Sequence, residues 1–253
     1  MSQSYTEGKK TFFLYPHSVI HQEMMDVLIM AGYETYTLID HARARKLLVK
    51  FPGSIMFVNI DERLKEAEWE SYIKEIMADP ATKENRLGIM SYNADRDLMQ
   101  KYLMDIAVPC GYVQLKLGVQ ESTRIILQVL DVNEAKGRRK FLRADCQDDI
   151  NATMNYKSDT GMYHGKLLDI SSAGIAAKIE EFEDLPANSL LRNVQLKFRG
   201  GLFMTDMVLM GRRQDNRLIY IFLFDPRMTK DNKIAIHRYI KICLQKYIDE
   251  LKV

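Results

Sequence analysis

The chain has 253 residues, 47% hydrophobic and 28% charged, which fits a folded protein of one large domain or two ordinary ones. A net charge of +2 excludes a surface built to coat polymeric nucleic acid or an anionic membrane, either of which needs a basic excess. The longest apolar runs, such as Ile219 to Phe224, are too short to span a bilayer, and MSQSYTEGKK lacks the apolar core of a secretory signal, so a cytoplasmic protein without membrane insertion is expected.

The first half alternates short apolar runs with amphipathic ones. Thr11 to Tyr15 predicts a strand, and Ser18 an N-cap for a helix ending at about Ala31 before Gly32. Tyr33 to Ile39 predicts a second strand, Asp40 caps a helix through Lys50, and Phe51-Pro52-Gly53 breaks it. Ser54 to Ile60 is continuously apolar, as a strand covered on both faces must be. A helix around Trp69 to Ala78, a strand Arg86 to Ser91, a helix from about Ala94 to Ile106, a strand Gly111 to Leu117 and a helix Val119 to Ala135 complete the series. Five strand–helix units in succession predict a five-stranded parallel sheet with helices on both faces, over residues 1–136.

After Lys136-Gly137 the helical pattern stops. Ile150 to Tyr156 and Met162 to Ile170 flank Ser158-Asp159-Thr160-Gly161, and Leu190 to Phe198 and Leu202 to Met210 flank Arg199-Gly200-Gly201, a hairpin signal. Leu218 to Phe224 follows Gln214-Asp215-Asn216. Antiparallel strands in this number close into a barrel or sandwich. A terminal helix from about Lys230 to Leu251 is apolar at Ile234, Ile240, Leu244, Tyr247 and Ile248. Residues 137–253 therefore form a second, all-β domain with a terminal helix.

Two segments of this half carry chemistry. Gly137 to Arg143 (GRRKFLR) places three guanidiniums on a linker, and arginine bonds phosphate or a guanine edge with two parallel donors and stacks on bases. Asp169-Ile170-Ser171-Ser172-Ala173-Gly174 ends a strand in a turn. Its carboxylate can accept the paired N–H donors of guanine, the Ser171 hydroxyl adds a polar contact, and Gly174 permits a turn or a close approach. Arginines for phosphates together with a carboxylate for a purine edge describe a guanine-nucleotide site. Taken alone, GRRKFLR reads as a solvated linker.

Arg139-x-x-x-Arg143, preceded by Arg138, and Asp169-x-Ser171-x-x-Gly174 resemble both signature motifs of the PilZ domain, in order and spacing, across roughly the C-terminal half. The resemblance implies a six-stranded antiparallel barrel that binds cyclic di-GMP. Arg139 and Arg143 would then be the clamp, Arg138 an auxiliary, and Asp169 with Ser171 the base readers. It also implies that ligand capture changes the arrangement of the two domains, and that the protein partner lies in motility or adhesion machinery.

The first half resembles a response-regulator receiver domain with degenerate motifs. Tyr15-Pro16-His17 stands in the acidic-pair region and Asn59 at the phospho-acceptor position, while Ser91 and Lys116 match the hydroxyl and lysine positions. Asp61 lies two residues late. Without the acidic pair a magnesium site lacks its anionic ligands, so a receiver-like fold that is not phosphorylated by the usual route is expected.

Other features point elsewhere. His17 and His21 share i, i+4 spacing without a third ligand, so no metal site is expected. Met24, Met25 and Met30 read as core filling, and Trp69 is assigned no role. Cys110, Cys146 and Cys243 are far apart in sequence and show no CxxC pattern, which predicts reduced, buried thiols. No nucleophile–base pair is legible, so neither catalysis nor a cofactor is expected. The alternatives to a ligand receptor are a scaffold that recruits a protein partner and a phospho-signalling protein that accepts phosphate at Asp61.

Overall fold

A computed structural model describes residues 8–182, 184–198 and 201–253, without the side chains of residues 18–21. The Ser18 cap, the His21 side chain, and Arg199 and Gly200 of the expected hairpin turn lie outside the described residues. The chain divides into two compact units, Met1–Lys140 with Ile248–Val253, and Phe141–Tyr247.

The first unit carries strands β1 (Thr11–Leu14), β2 (Thr35–Leu38), β3 (Ile55–Asn59), β4 (Arg86–Ser91) and β5 (Tyr112–Gln114), all parallel, in the order β2-β1-β3-β4-β5. That is the doubly wound order with a switch point between β1 and β3. Every residue of β1 and β3 is buried, as continuous apolar strands inside a parallel sheet require. Phe13 and Phe57 stack at 5.3 Å across neighbouring strands. Gly88 of β4 makes room for them, since a Cβ there would lie 2.7 Å from the Phe57 ring.

The helices are α1 (Ser18–Met30), α2 (His41–Lys50), α3 (Glu66–Ala78), α4 (Arg96–Gln100) and α5 (Val119–Val132). Asp40 caps α2, accepting from the N–H groups of Ala42 (2.8 Å) and Arg43 (3.0 Å). The single helix expected over Ala94 to Ile106 is instead α4 followed by a π-helical turn, Lys101–Asp105, closed by Ile106 N–H to the Lys101 carbonyl at 2.9 Å. The widened turn buries Tyr102 while Lys101 pairs with Glu66 (2.8 Å) and Glu70 on α3. The last strand is also shorter than expected. Leu115–Leu117 is a 3-10 turn, so Lys116 stands exposed after β5 rather than within it. Met24 and Met25 are core residues, but Met30, near the helix end, is 63% exposed.

The second unit holds β6 (Arg143–Asp145), β7 (Thr153–Lys157), β8 (Met162–Ser171), β9 (Gly174–Ile179), β10 (Ser189–Phe198), β11 (Gly201–Arg212) and β12 (Ile219–Phe224), with helix α6 (Lys230–Glu250). The antiparallel order β8-β7-β10-β11-β12-β9 returns to β8, closing a six-stranded barrel, and β6 adds outside β8. Closure leaves the six barrel strands without open edges. Its interior is filled by alternating side chains, including Met154, Leu167, Ile175, Leu196, Met207 and Phe222.

Sequence patterning misses β6 and β9. The first is three residues between charged neighbours, and the second is a run of small residues beginning at a turn. On α6 the buried stripe of this unit is Ile236, Tyr239, Ile240 and Leu244, whereas Ile234 and Tyr247, expected on the apolar face, are 46% and 49% exposed. Tyr239 takes that place by stacking on Phe198 at 4.3 Å.

Candidate functional site

The Asp169–Gly174 segment forms the corner from β8 into β9. Ser171 is 8% exposed, and its hydroxyl is fully used within the turn. It donates to the Gly174 carbonyl (3.2 Å) and accepts from the N–H groups of Ala173 and Gly174 (both 3.3 Å). Gly174 is fixed by space, because a Cβ would meet the Phe222 carbonyl oxygen at 2.0 Å, where β9 runs beside β12. These two motif positions build the corner.

Asp169 is different. A bulge between Leu167 and Asp169 shifts the register of β8 against β9, and the Asp169 side chain is 27% exposed. Strand β6 pairs antiparallel with β8, setting Arg143 opposite Ser171 and Asp145 opposite Asp169. Arg143 is thereby held beside the corner, its Nη1 3.8 Å from Asp169 Oδ1, with half of its side chain in solvent. Asp145 turns away to bond the backbone N–H (2.8 Å) and side-chain amide (3.1 Å) of Gln147. Arg143, Asp169, Ser171 and Gly174 are thus brought together. Arg138 and Arg139 are exposed residues at the end of the first unit, and among the described residues Arg139 makes no ion pair.

Beside the corner lies a groove of about 470 Å³. Ser172 and Ala173 form one side, with Phe141, Leu223, Met228 and Lys233 among its other walls. Phe141 is 39% exposed and sits inside the GRRKFLR segment, so an aromatic between two arginines was its sequence signal. Such a groove offers an aromatic face and apolar walls to a flat ring, with the Lys233 ammonium and the Asp225 carboxylate both in its lining.

In the first unit, the region at the ends of β1, β3 and β4 is closed by its own side chains. Asn59 is fully buried and donates to the Tyr15 carbonyl at 2.8 Å. The Asp61 carboxylate accepts from Ser91 Oγ (2.5 Å) and from the Tyr92 N–H (2.6 Å). Burial and this carboxylate push the Tyr92 phenol upward in pKa. Tyr15, His41, Trp69 and Tyr72 form an edge-packed aromatic group, and Trp69 is fully buried with its indole N–H on the Glu62 carbonyl at 3.0 Å. Trp69 is therefore a core residue. His17 packs edge-on against Tyr92 at 4.9 Å. Among the described residues no cluster of three metal-ligating side chains occurs, and no helix is long and apolar enough to cross a membrane.

No family model and no curated protein matches the chain. Solved structures similar to it include PilZ domains. The PilZ domain with c-di-GMP of YcgR from Escherichia coli is 16% identical, with a TM-score of 0.38, over 45% of this chain and 99% of that one. The Klebsiella pneumoniae MrkH–c-di-GMP complex is 21% identical (TM-score 0.35), covering 41% of this chain and 51% of that one. The Bacillus subtilis inhibitor of motility MotI/DgrA is 15% identical (TM-score 0.34), over 45% and 53%. This chain thus spans about half the length of the MrkH and MotI chains that it matches.

Proposed function

We propose that the chain is a receptor for cyclic di-GMP, a binding module without chemistry of its own. The observation that carries this reading is the pairing of β6 with β8, which holds the Arg143 guanidinium 3.8 Å from the Asp169 carboxylate at the β8–β9 corner. A half-exposed pair at that length contributes little by itself, so a ligand bearing both phosphates and guanines can exchange it for stronger contacts. Arg143 would take phosphate, with Arg139 as second clamp and Arg138 as auxiliary, and Asp169 would take the N–H donors of one guanine edge. Ser171 and Gly174 support the site by shaping the corner, and the Phe141 groove receives a base.

Capture would draw the linker arginines onto the ligand and so pass a signal to the first unit. That unit would not be phosphorylated, because Asn59 replaces an acceptor and Asp61 is already engaged by Ser91 and the Tyr92 N–H. Its role would be contact with a cytoplasmic protein partner in control of motility or adhesion. Calorimetry of the intact chain with cyclic di-GMP tests the reading. Micromolar or tighter binding that disappears in the Arg139→Ala, Arg143→Ala double variant supports it, and a folded wild-type chain that binds nothing overturns it in favour of a protein-recruiting scaffold.

A further inference from the structure

Two of the three cysteines, 97 positions apart in sequence, meet in the second unit. Cys146 follows β6 directly and is buried, its Sγ 3.5 Å from the Ala144 carbonyl. The turn after it closes with Asp149 N–H on the Cys146 carbonyl at 3.0 Å. Asp149 Oδ2 in turn accepts from the Tyr239 hydroxyl of α6 at 2.8 Å. Cys243 lies four residues beyond Tyr239, on the same helix face, which sets its side chain beside that of Cys146. No third ligand completes a metal site among the described residues.

We propose that Cys243 and Cys146 are a peroxide-oxidisable dithiol whose disulfide staples the β6–β7 connection to α6. The two sulfurs are differentiated for this. Cys243 is partly exposed, and is therefore the sulfur that peroxide reaches first. Cys146 is shielded, with its S–H directed at the Ala144 carbonyl. The Cys243 thiolate attacks one oxygen of hydrogen peroxide. An S–O bond forms, the O–O bond breaks, sulfur is oxidised to the sulfenic acid, and the released hydroxide takes a proton to become water. The Cys146 sulfur then attacks the Cys243 sulfur. The S–S bond forms as the S–O bond breaks, and the departing hydroxide leaves as water with the Cys146 proton. Two thiols and one peroxide yield one disulfide and two waters.

The staple would act on the strand that carries Arg143. The pairing of β6 with β8 is extended at this end by Cys146 N–H on the carbonyl of Leu168, the bulge residue beside Asp169, at 2.8 Å. Linking Cys146 to the helix closes a loop of about a hundred residues, a length at which a cross-link restricts the unfolded chain strongly.

The test needs no nucleotide. Full-length protein is treated with a small molar excess of hydrogen peroxide and digested without reduction. The expected product is a single peptide pair joining Cys146 to Cys243, with Cys110 still alkylated after unfolding and a raised thermal midpoint that dithiothreitol reverses. Cys243→Ser should abolish the cross-link, Cys146→Ser should leave a sulfenic acid at Cys243 that dimedone traps, and Cys110→Ser should change nothing. Oxidation that leaves Cys243 unmodified, or that yields only links between chains, would overturn the proposal. Should Cys146→Ser fail to fold, the wild-type peptide map and Cys243→Ser decide it.

Discussion

The Arg143 guanidinium and the Asp169 carboxylate lie 3.8 Å apart on strands that pair only because a three-residue segment adds outside the closed barrel. The contact is long and half-solvated, so it adds little to stability, and on the proposed reading its value lies in placing a cation and an anion side by side within reach of one ligand.

Arg143→Ala should therefore leave folding intact and weaken cyclic di-GMP binding about ten- to a hundredfold, the loss expected when a charge-assisted contact of about 1.5–3 kcal/mol is removed. Arg139→Ala should cost a similar factor. Calorimetry on the two single variants checks this, and unchanged affinity in both would remove the arginines from the site.

Asp169→Ala should reduce affinity and relax the preference for guanine over adenine, since its carboxylate would accept the donors that only guanine presents on that edge. Side-by-side titration with cyclic di-GMP and cyclic di-AMP reads the outcome. A variant that binds cyclic di-GMP normally and still refuses cyclic di-AMP would show that Asp169 reads no base.

Gly174→Ala should act on stability before it acts on binding. Its methyl group would fall 2.0 Å from the Phe222 carbonyl oxygen, so β9 and β12 must separate. Overpacking of this kind costs about 1–3 kcal/mol, and a clash with backbone belongs at the upper end. Ser171→Ala should cost about 1–2 kcal/mol, because it strands polar groups of a buried turn. Urea denaturation measures both.

Hydrogen bonds from Lys101 and then Lys74 hold the Glu70 carboxyl down to about 2, from 4.5. A lowered pKa contributes stability that is fully present above about 4.5 and is lost as pH falls through about 2. In Lys101→Met, which removes the stronger partner at the π-helical turn, the Glu70 titration observed by NMR should move up toward 4.5. Salt should produce a smaller shift in the same direction, because the group is exposed to solvent.

Acetyl phosphate should leave the intact chain unlabelled, Asp61 included. Asp61→Ala should instead loosen the ends of β3 and β4, because Ser91 and the Tyr92 N–H lose their acceptor. Mass spectrometry after phosphodonor treatment and thermal unfolding of the variant check the two halves of this expectation.

The barrel's long strands were legible because their residues alternate between core and solvent, and the parallel strands because theirs stay apolar throughout. What escaped the pattern has a local cause in each case. Strand β6 is too short and charged to show a period, and β9 (GIAAKI) begins at the Gly174 corner with small residues. The π-helical turn at Lys101–Asp105 follows from burying Tyr102 while Lys101 reaches Glu66 and Glu70, partners 35 and 31 positions away in sequence. Met30, Ile234 and Tyr247 carry apolar side chains at helical spacing, yet face solvent because helix length and neighbours decide which stripe is covered.

By itself the sequence determined two folds and two motifs, since strand period, turn residues and the spacing of Arg139, Arg143, Asp169, Ser171 and Gly174 are all local properties of the chain. Only the tertiary structure decided what those residues do for one another. Strand β6 docks on β8 and brings Arg143 to Asp169, the Ser171 hydroxyl is consumed within its own turn, and Cys146 meets Cys243 across 97 positions. Each of these depends on which strands pair and which helix face is covered, and that is settled by closure of the barrel rather than by any segment read alone.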